Sequence, residues 1–260
     1  MRRSLSFRFL TVGLVSTVAA ACGGDDPLPS ADSSSLRTVG QGEIVGYTHP
    51  DRDAHVWKGL PFAAPPTGER RWRAPAQPAD WEGVREALES KSPCTQLDMG
   101  DSTKVTGDED CLYLDVYAPK FAADALPTGD AQRPVMVWIH GGGNSIGDAT
   151  VYDSSRIAVE NDVIVVPIQY RLGILGWLSH PALRATAANA EDASGNFGTL
   201  DTIRALEWVR DNIAAFGGDP DNVTIFGESA GGMNVFALLL SPRANGLFHR
   251  AISQSGSTVT

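Results

Sequence analysis

The sequence predicts an α/β fold, with a central, mostly parallel sheet flanked by helices. Three observations carry that prediction: short runs of β-branched and aromatic residues end at turn residues, helical periodicity lies between them, and several of the runs are apolar on both faces, as interior strands covered by helices are. In chain order the strand-like runs are His55–Leu60 (HVWKGL), Leu114–Ala118 (LDVYA), Pro134–His140 (PVMVWIH), Val163–Gln169 (VIVVPIQ), Val223–Phe226 (VTIF) and Ala251–Ser255 (AISQS). Leu200, Ile203, Leu206, Ile213 and Phe216 recur at three- and seven-residue spacings, so they share one stripe of a helix that stops at Gly217-Gly218. A second helix is expected from Ala230 to about Leu240, closed by Ser241-Pro242. Residues 61–110, rich in Pro, Gly and charge, read as an irregular surface excursion.

Composition narrows the class. The chain has 260 residues, 42% hydrophobic and 20% charged, with 21 basic against 31 acidic side chains and a net charge of −10. That balance excludes collagen-like, low-complexity and wholly disordered chains, and an acidic surface without a basic block argues against nucleic acid as a partner. The three cysteines, Cys22, Cys94 and Cys111, are too few and too dispersed for a Cys-pair metal site, and no metal is expected.

Residues 1–21 carry Arg2, Arg3 and Arg8, no acid, and the apolar run Phe9–Ala21, which reads as a signal peptide. The 13 residues of that run reach only ~20 Å as a helix, short of a bilayer core of about 30 Å. Ala20-Ala21 before Cys22, then a polar GGDDPLPSADSSS stretch, resemble a bacterial lipoprotein signal with lipid on Cys22, although Ala19 stands where a larger aliphatic residue is preferred. Simple cleavage at an A-x-A site is the alternative, and Arg2-Arg3 also admits a twin-arginine route. Residues 22–36 then form a flexible tether and 37–260 the globular part, with the protein exported to the envelope, or secreted or periplasmic. Contact with a membrane is expected only through a lipid on Cys22. Loss of residues 1–21 removes three positive charges and no negative ones. If Cys22 carries lipid, Cys94 and Cys111 are left to pair in an oxidising compartment, a bridge contributing roughly 3 kcal/mol, or else they stay as two buried thiols.

The sharpest feature is VTIFGESAGG, Val223–Gly232: a strand, then Gly227-Glu228-Ser229-Ala230-Gly231, then a helix. A strand-to-helix turn this tight demands small residues two before and two after the Ser, and it lifts the hydroxyl above the sheet. Alone the pattern is weak evidence, but a second feature precedes it. The strand Pro134–Ile139 runs into His140-Gly141-Gly142-Gly143, where glycines let backbone N–H groups turn toward an external oxygen and form an oxyanion hole with the residue after the nucleophile.

With these motifs in order, the chain resembles the type-B carboxylesterases, a family that includes cholinesterases and bacterial para-nitrobenzyl esterases. The resemblance runs over residues 42–257 and rests on GLPFAAPP from Gly59, EDCLYLDVYAP (Glu109–Pro119), the His140 glycine run, QYRLGILG (Gln169–Gly176), GNFG from Gly195, FGGDP (Phe216–Pro220), the elbow, and LFHRAISQSG (Leu247–Gly256). It implies the N-terminal part of an α/β-hydrolase fold. By the same resemblance Ser229 is the nucleophile, Gly142, Gly143 and Ala230 give the oxyanion N–H groups, Glu228 and Ser255 support the site, and Cys94 bridges to Cys111. The reaction implied is hydrolysis of a small carboxylic ester through an acyl-enzyme, without metal or organic cofactor.

The chain also departs from the pattern. Asp115 stands where the family has Asn, Asn144 follows the glycines where an aromatic is usual, Thr202 replaces a common Gln, and Asn234 sits in the helix after the elbow. The Cys94–Cys111 loop holds no aromatic residue, whereas the cholinesterase-like members of the family it resembles place a choline-binding Trp there, so a quaternary-ammonium substrate is not expected. A Ser nucleophile needs a His base and an orienting acid, which follow the Ser in chain order in α/β hydrolases. The 31 residues after Ser229 contain no Asp or Glu and one His, His249, which lies before a strand and reads as a surface or packing residue. The expectation is therefore an incomplete copy of a serine carboxylesterase, nearly inactive by itself. The alternatives are a non-catalytic binding protein and a half-enzyme completed by a second chain.

Overall fold

The computed structural model describes residues 28–98 and 100–257, so the expected signal peptide and Cys22 lie outside the described residues. Seven strands form one sheet among the described residues: β1 (Tyr47–Thr48), β2 (Ala54–Pro61), β3 (Tyr113–Pro119), β4 (Arg133–Ile139), β5 (Ile164–Ile168), β6 (Gly218–Glu228) and β7 (Arg250–Gln254), in the order β7-β6-β4-β5-β3-β2-β1. The four strands from β7 to β5 run parallel, whereas β5–β3, β3–β2 and β2–β1 pair antiparallel. The sheet is thus mixed, with its parallel half carrying the candidate site.

Helices α1 (Ser155–Asn161), α2 (Phe197–Asn212) and α3 (Ala230–Leu240) cover it. Every residue of β5 is buried, and its alternate side chains enter different clusters. Ile164, Val166 and Ile168 join Val135, Val137, Ile139, Val223 and Ile225 against Ile203, Leu206 and Val209 of α2 and Val235 and Leu238 of α3. On the opposite face Val163 and Val165 pack with Val56, Tyr117 and Ala158. This is why the run VIVVPI is apolar throughout rather than alternating.

The predicted helix to Phe216 is α-helical only to Asn212, tightens into a 3₁₀ turn over Ile213–Phe216, and ends at Gly217 with φ 85°. A left-handed residue closing a helix is the natural place for glycine. Strand β6 starts at once with Gly218, five residues before the predicted strand. Helix α1 went unpredicted because it is only seven residues long, buries only Ser155 and Ala158, and leaves Ile157 exposed.

A small sheet of Arg37–Val39, Gly42–Val45 and Val84–Glu86 was likewise not expected. Packed chain already begins inside the segment expected to be a tether. The Asp32 N–H donates to the Gly46 carbonyl, Ser35 is fully buried with its hydroxyl accepting from the Gly46 N–H, and Trp57 Nε1 donates to the Ser35 carbonyl. Cys94 and Cys111 form a disulfide at the end of the excursion, and the loop between them carries the short strands Gln96–Leu97 and Val105–Thr106.

Asp115 in β3 is buried, accepting from the Gly59 N–H at 2.8 Å and from the Ser90 hydroxyl at 2.7 Å. Burial raises its carboxyl above the usual carboxylate range. The native state then holds this proton more tightly than the unfolded chain, so stability falls as pH rises from the unfolded value through the native one. Asn matches the shape of the protonated acid, accepting from Gly59 and donating to Ser90. Asp115→Asn is expected to raise Tm at pH 7 by about 2–4 °C, equivalent to roughly 1 kcal/mol, with no gain near pH 3. A lower Tm at pH 7, read by calorimetry, would sink this account.

Candidate active site

Parallel pairing of β6 with β4 sets Gly227 opposite Ile139, which brings the ends of the two strands together. The His140 glycine run therefore begins beside the turn that carries Ser229. That turn is too tight for side chains. A Cβ on Gly227 would lie 2.5 Å from the Gly231 carbonyl carbon, and one on Gly231 would lie 2.0 Å from the Ile139 oxygen. Ser229 itself adopts φ 55° and ψ −120°, a conformation strained for any residue with a Cβ. Its N–H donates to the Gln254 carbonyl of β7 at 2.8 Å, and its carbonyl accepts from Met233 as α3 begins.

Ser229 is half-buried, and its hydroxyl has no hydrogen-bond partner among the described residues. The glycine loop lies directly against it. A Cβ on Gly141 would sit 3.2 Å from Ser229 Cβ and 2.8 Å from the Glu228 oxygen, so glycine is what lets the loop approach. Gly142 and Gly143 have φ of 106° and 63°, and Gly142 has no room for a Cβ beside the Ile146 carbonyl. Among the described residues the N–H groups of Gly142, Gly143 and Ala230 donate to no backbone carbonyl. At the head of α3 the Ala230 N–H is one of the donors that a helix start leaves free.

Side chains hold the loop at three points. The Tyr170 hydroxyl donates to the His140 carbonyl at 2.6 Å, and the two rings stack with centroids 4.3 Å apart. Gln96 grips Gly147 at both ends, accepting from its N–H and donating to its carbonyl, each at 2.8 Å. Asn144 pairs with Asn234 of α3. Burial lowers the pKa of His140, whose Nδ1 lies 2.8 Å from the Gly141 carbonyl, so this ring is neutral packing beside the loop. Sequence reasoning missed Tyr170 and Gln96 as supports, because their partners lie 30 and 51 residues away with no local signature.

The structure brings Ser229, Gly142, Gly143 and Ala230 to one place. The side chains of Glu228 and Ser255 are exposed, and neither hydrogen-bonds Ser229 among the described residues. His249 is exposed, its Nδ1 accepting from the Val223 N–H far down β6 from Ser229, which matches a packing role. Among the described residues no His or carboxylate side chain hydrogen-bonds the Ser229 hydroxyl.

A strained Ser between strand and helix, beside a glycine loop at the end of a parallel strand, is the nucleophile-elbow arrangement of the α/β-hydrolase fold. The chain belongs to the carboxylesterase family, whose model matches residues 33–260. It is 44% identical over 229 residues to the para-nitrobenzyl esterase of Bacillus subtilis, covering 86% of this chain and 44% of that protein. Human carboxylesterase 3 is 44% identical over 257 residues, 95% of this chain and 42% of that one. Among solved structures, a PNB esterase superposes with a TM-score of 0.74 at 42% identity, covering 86% of this chain and 44% of the other. The Geobacillus stearothermophilus carboxylesterase gives 0.71 at 39%, covering 84% and 43%. The chain spans less than half the length of these relatives.

Proposed function

We propose that this chain carries the nucleophile and oxyanion hole of a serine carboxylesterase acting on small carboxylic esters. The observation that carries the reading is the strained Ser229 set against three N–H groups without backbone partners, those of Gly142, Gly143 and Ala230. In the proposed reaction the Ser229 oxygen attacks the ester carbonyl and its proton passes to a base. The oxyanion is held by the three N–H groups, and collapse expels the alcohol, which takes up that proton. Water then attacks the acyl-enzyme, releasing the acid and restoring the Ser hydroxyl.

The base and its orienting carboxylate are assigned to residues outside those described. Glu228 and Ser255 are assigned to the rim of the site. No step uses a metal or organic cofactor. Export through the leader at residues 1–21, with lipid on Cys22, belongs to the same proposal, and a mass shift on the N-terminal peptide of envelope-purified protein tests it.

The direct test of the chemistry is labelling by a fluorophosphonate probe of protein made from the whole coding sequence, followed by peptide mapping. The expected adduct is on Ser229 and is absent from Ser229→Ala. Labelling that survives this substitution, or fails in the wild type, overturns the assignment. Residues 22–260 by themselves are expected to turn over p-nitrophenyl esters at the background rate, and turnover abolished by Ser229→Ala would contradict this.

A further inference from the structure

We infer that the Asn144–Asn234 amide pair is a latch that sets the spacing between the two halves of the oxyanion hole; this rests on the function proposed above. The hole is built from two elements, the loop carrying the Gly142 and Gly143 N–H groups and the helix carrying that of Ala230. Among the described residues, one side-chain pair hydrogen-bonds segment 140–147 to α3. Asn234 Nδ2 donates to Asn144 Oδ1 at 2.9 Å, and Asn144 Nδ2 donates back to Asn234 Oδ1 at 3.3 Å.

The placement is specific at both ends. Asn144 follows Gly143 directly and takes φ 56°, a left-handed conformation that Asn tolerates better than most residues. Its carbonyl accepts from the Gly173 N–H at 2.7 Å, which anchors its backbone while the side chain reaches across. Asn234 is buried and lies four residues after Ala230, one helical turn on and on the same face. Tyr170 and Gln96 hold the two ends of the loop to other elements, so the amide pair is what ties its middle to the nucleophile helix. An aromatic residue at position 144 has no amide with which to form this reciprocal pair. Asn144 and Asn234 are therefore positioning residues, acting through donors they do not themselves supply.

The test uses Asn144→Gly, Asn234→Ala and the double variant in protein from the whole coding sequence. Glycine at 144 accepts φ 56° and so removes the amide without adding backbone strain. Loss of a whole oxyanion donor lowers kcat about 10²–10³-fold, so misalignment of the hole is expected to lower kcat for p-nitrophenyl acetate roughly tenfold with KM within about twofold. The double variant should lose no more than either single one, because both break the same contact. Hydrogen exchange of the peptide spanning 140–147 should quicken about tenfold in each variant while the strands keep their protection.

Unchanged kcat, effects that multiply in the double variant, or unchanged exchange would each overturn the latch. If the wild type neither hydrolyses esters nor labels at Ser229, the proposed function fails and exchange alone decides. Faster exchange of 140–147 then supports the latch, and unchanged exchange removes it.

Discussion

Asp201→Ala is expected to lower the unfolding free energy by about 3–5 kcal/mol, because it leaves the Arg171 guanidinium charged and buried with no counter-ion. The Arg171 and Asp201 side chains are 4% and 0% exposed. They meet through two parallel hydrogen bonds, Nε to Oδ2 at 2.8 Å and Nη2 to Oδ1 at 2.7 Å, and the Arg171 N–H adds a third at 3.1 Å. Arg171 Nη1 is already buried without a partner, so no spare acceptor stands ready when the carboxylate goes. The pair joins α2 to the segment after β5, and the neighbouring residue, Tyr170, is the one whose hydroxyl holds the His140 carbonyl.

Urea unfolding followed by near-UV dichroism reads this loss as a lower midpoint. Replacing both partners, as in Arg171→Met with Asp201→Leu, is expected to recover much of it, since well-packed apolar groups have no charge to desolvate. A single-variant loss under about 1 kcal/mol would show that solvent reaches the guanidinium after all.

Which of these contacts could be read from the chain depends on how local their cause is. The strands β4, β5 and β6 announce themselves because burial on both faces demands an apolar run, and α2 because one stripe must face them. Gly227, Ser229 and Gly231 were legible because one turn imposes all three residue types within five positions. The antiparallel half of the sheet was not legible: pairing β3 against β5 is decided by packing between segments about 50 residues apart, and their side-chain patterns do not state a direction. Nor was the Asn144–Asn234 contact, which joins residues 90 apart whose types alone are compatible with any polar surface. Asp115 falls between these cases. The departure was visible in the sequence, but its meaning required the burial and the two donors that surround it.

In protein from the whole coding sequence, Ser229→Gly is expected to abolish ester hydrolysis, by roughly 10⁶-fold for a nucleophile, and yet to leave a protein more stable than Ser229→Ala. The two substitutions remove the same hydroxyl and differ only in a Cβ. At φ 55° and ψ −120° that Cβ carries strain of about 1–3 kcal/mol, which glycine is free of. Glycine gives back about 0.5–1 kcal/mol through the greater freedom of its unfolded chain, so the net gain over alanine is expected near 1 kcal/mol. What keeps serine in that conformation is the packing around it. Gly227 and Gly231 are pressed against each other and against the end of β4, and the Ser229 N–H is tied to Gln254. Chemical denaturation of the two variants in parallel separates the possibilities: a glycine variant less stable than the alanine one would mean that the backbone at Ser229 is not strained, and that exposure of its hydroxyl needs another cause.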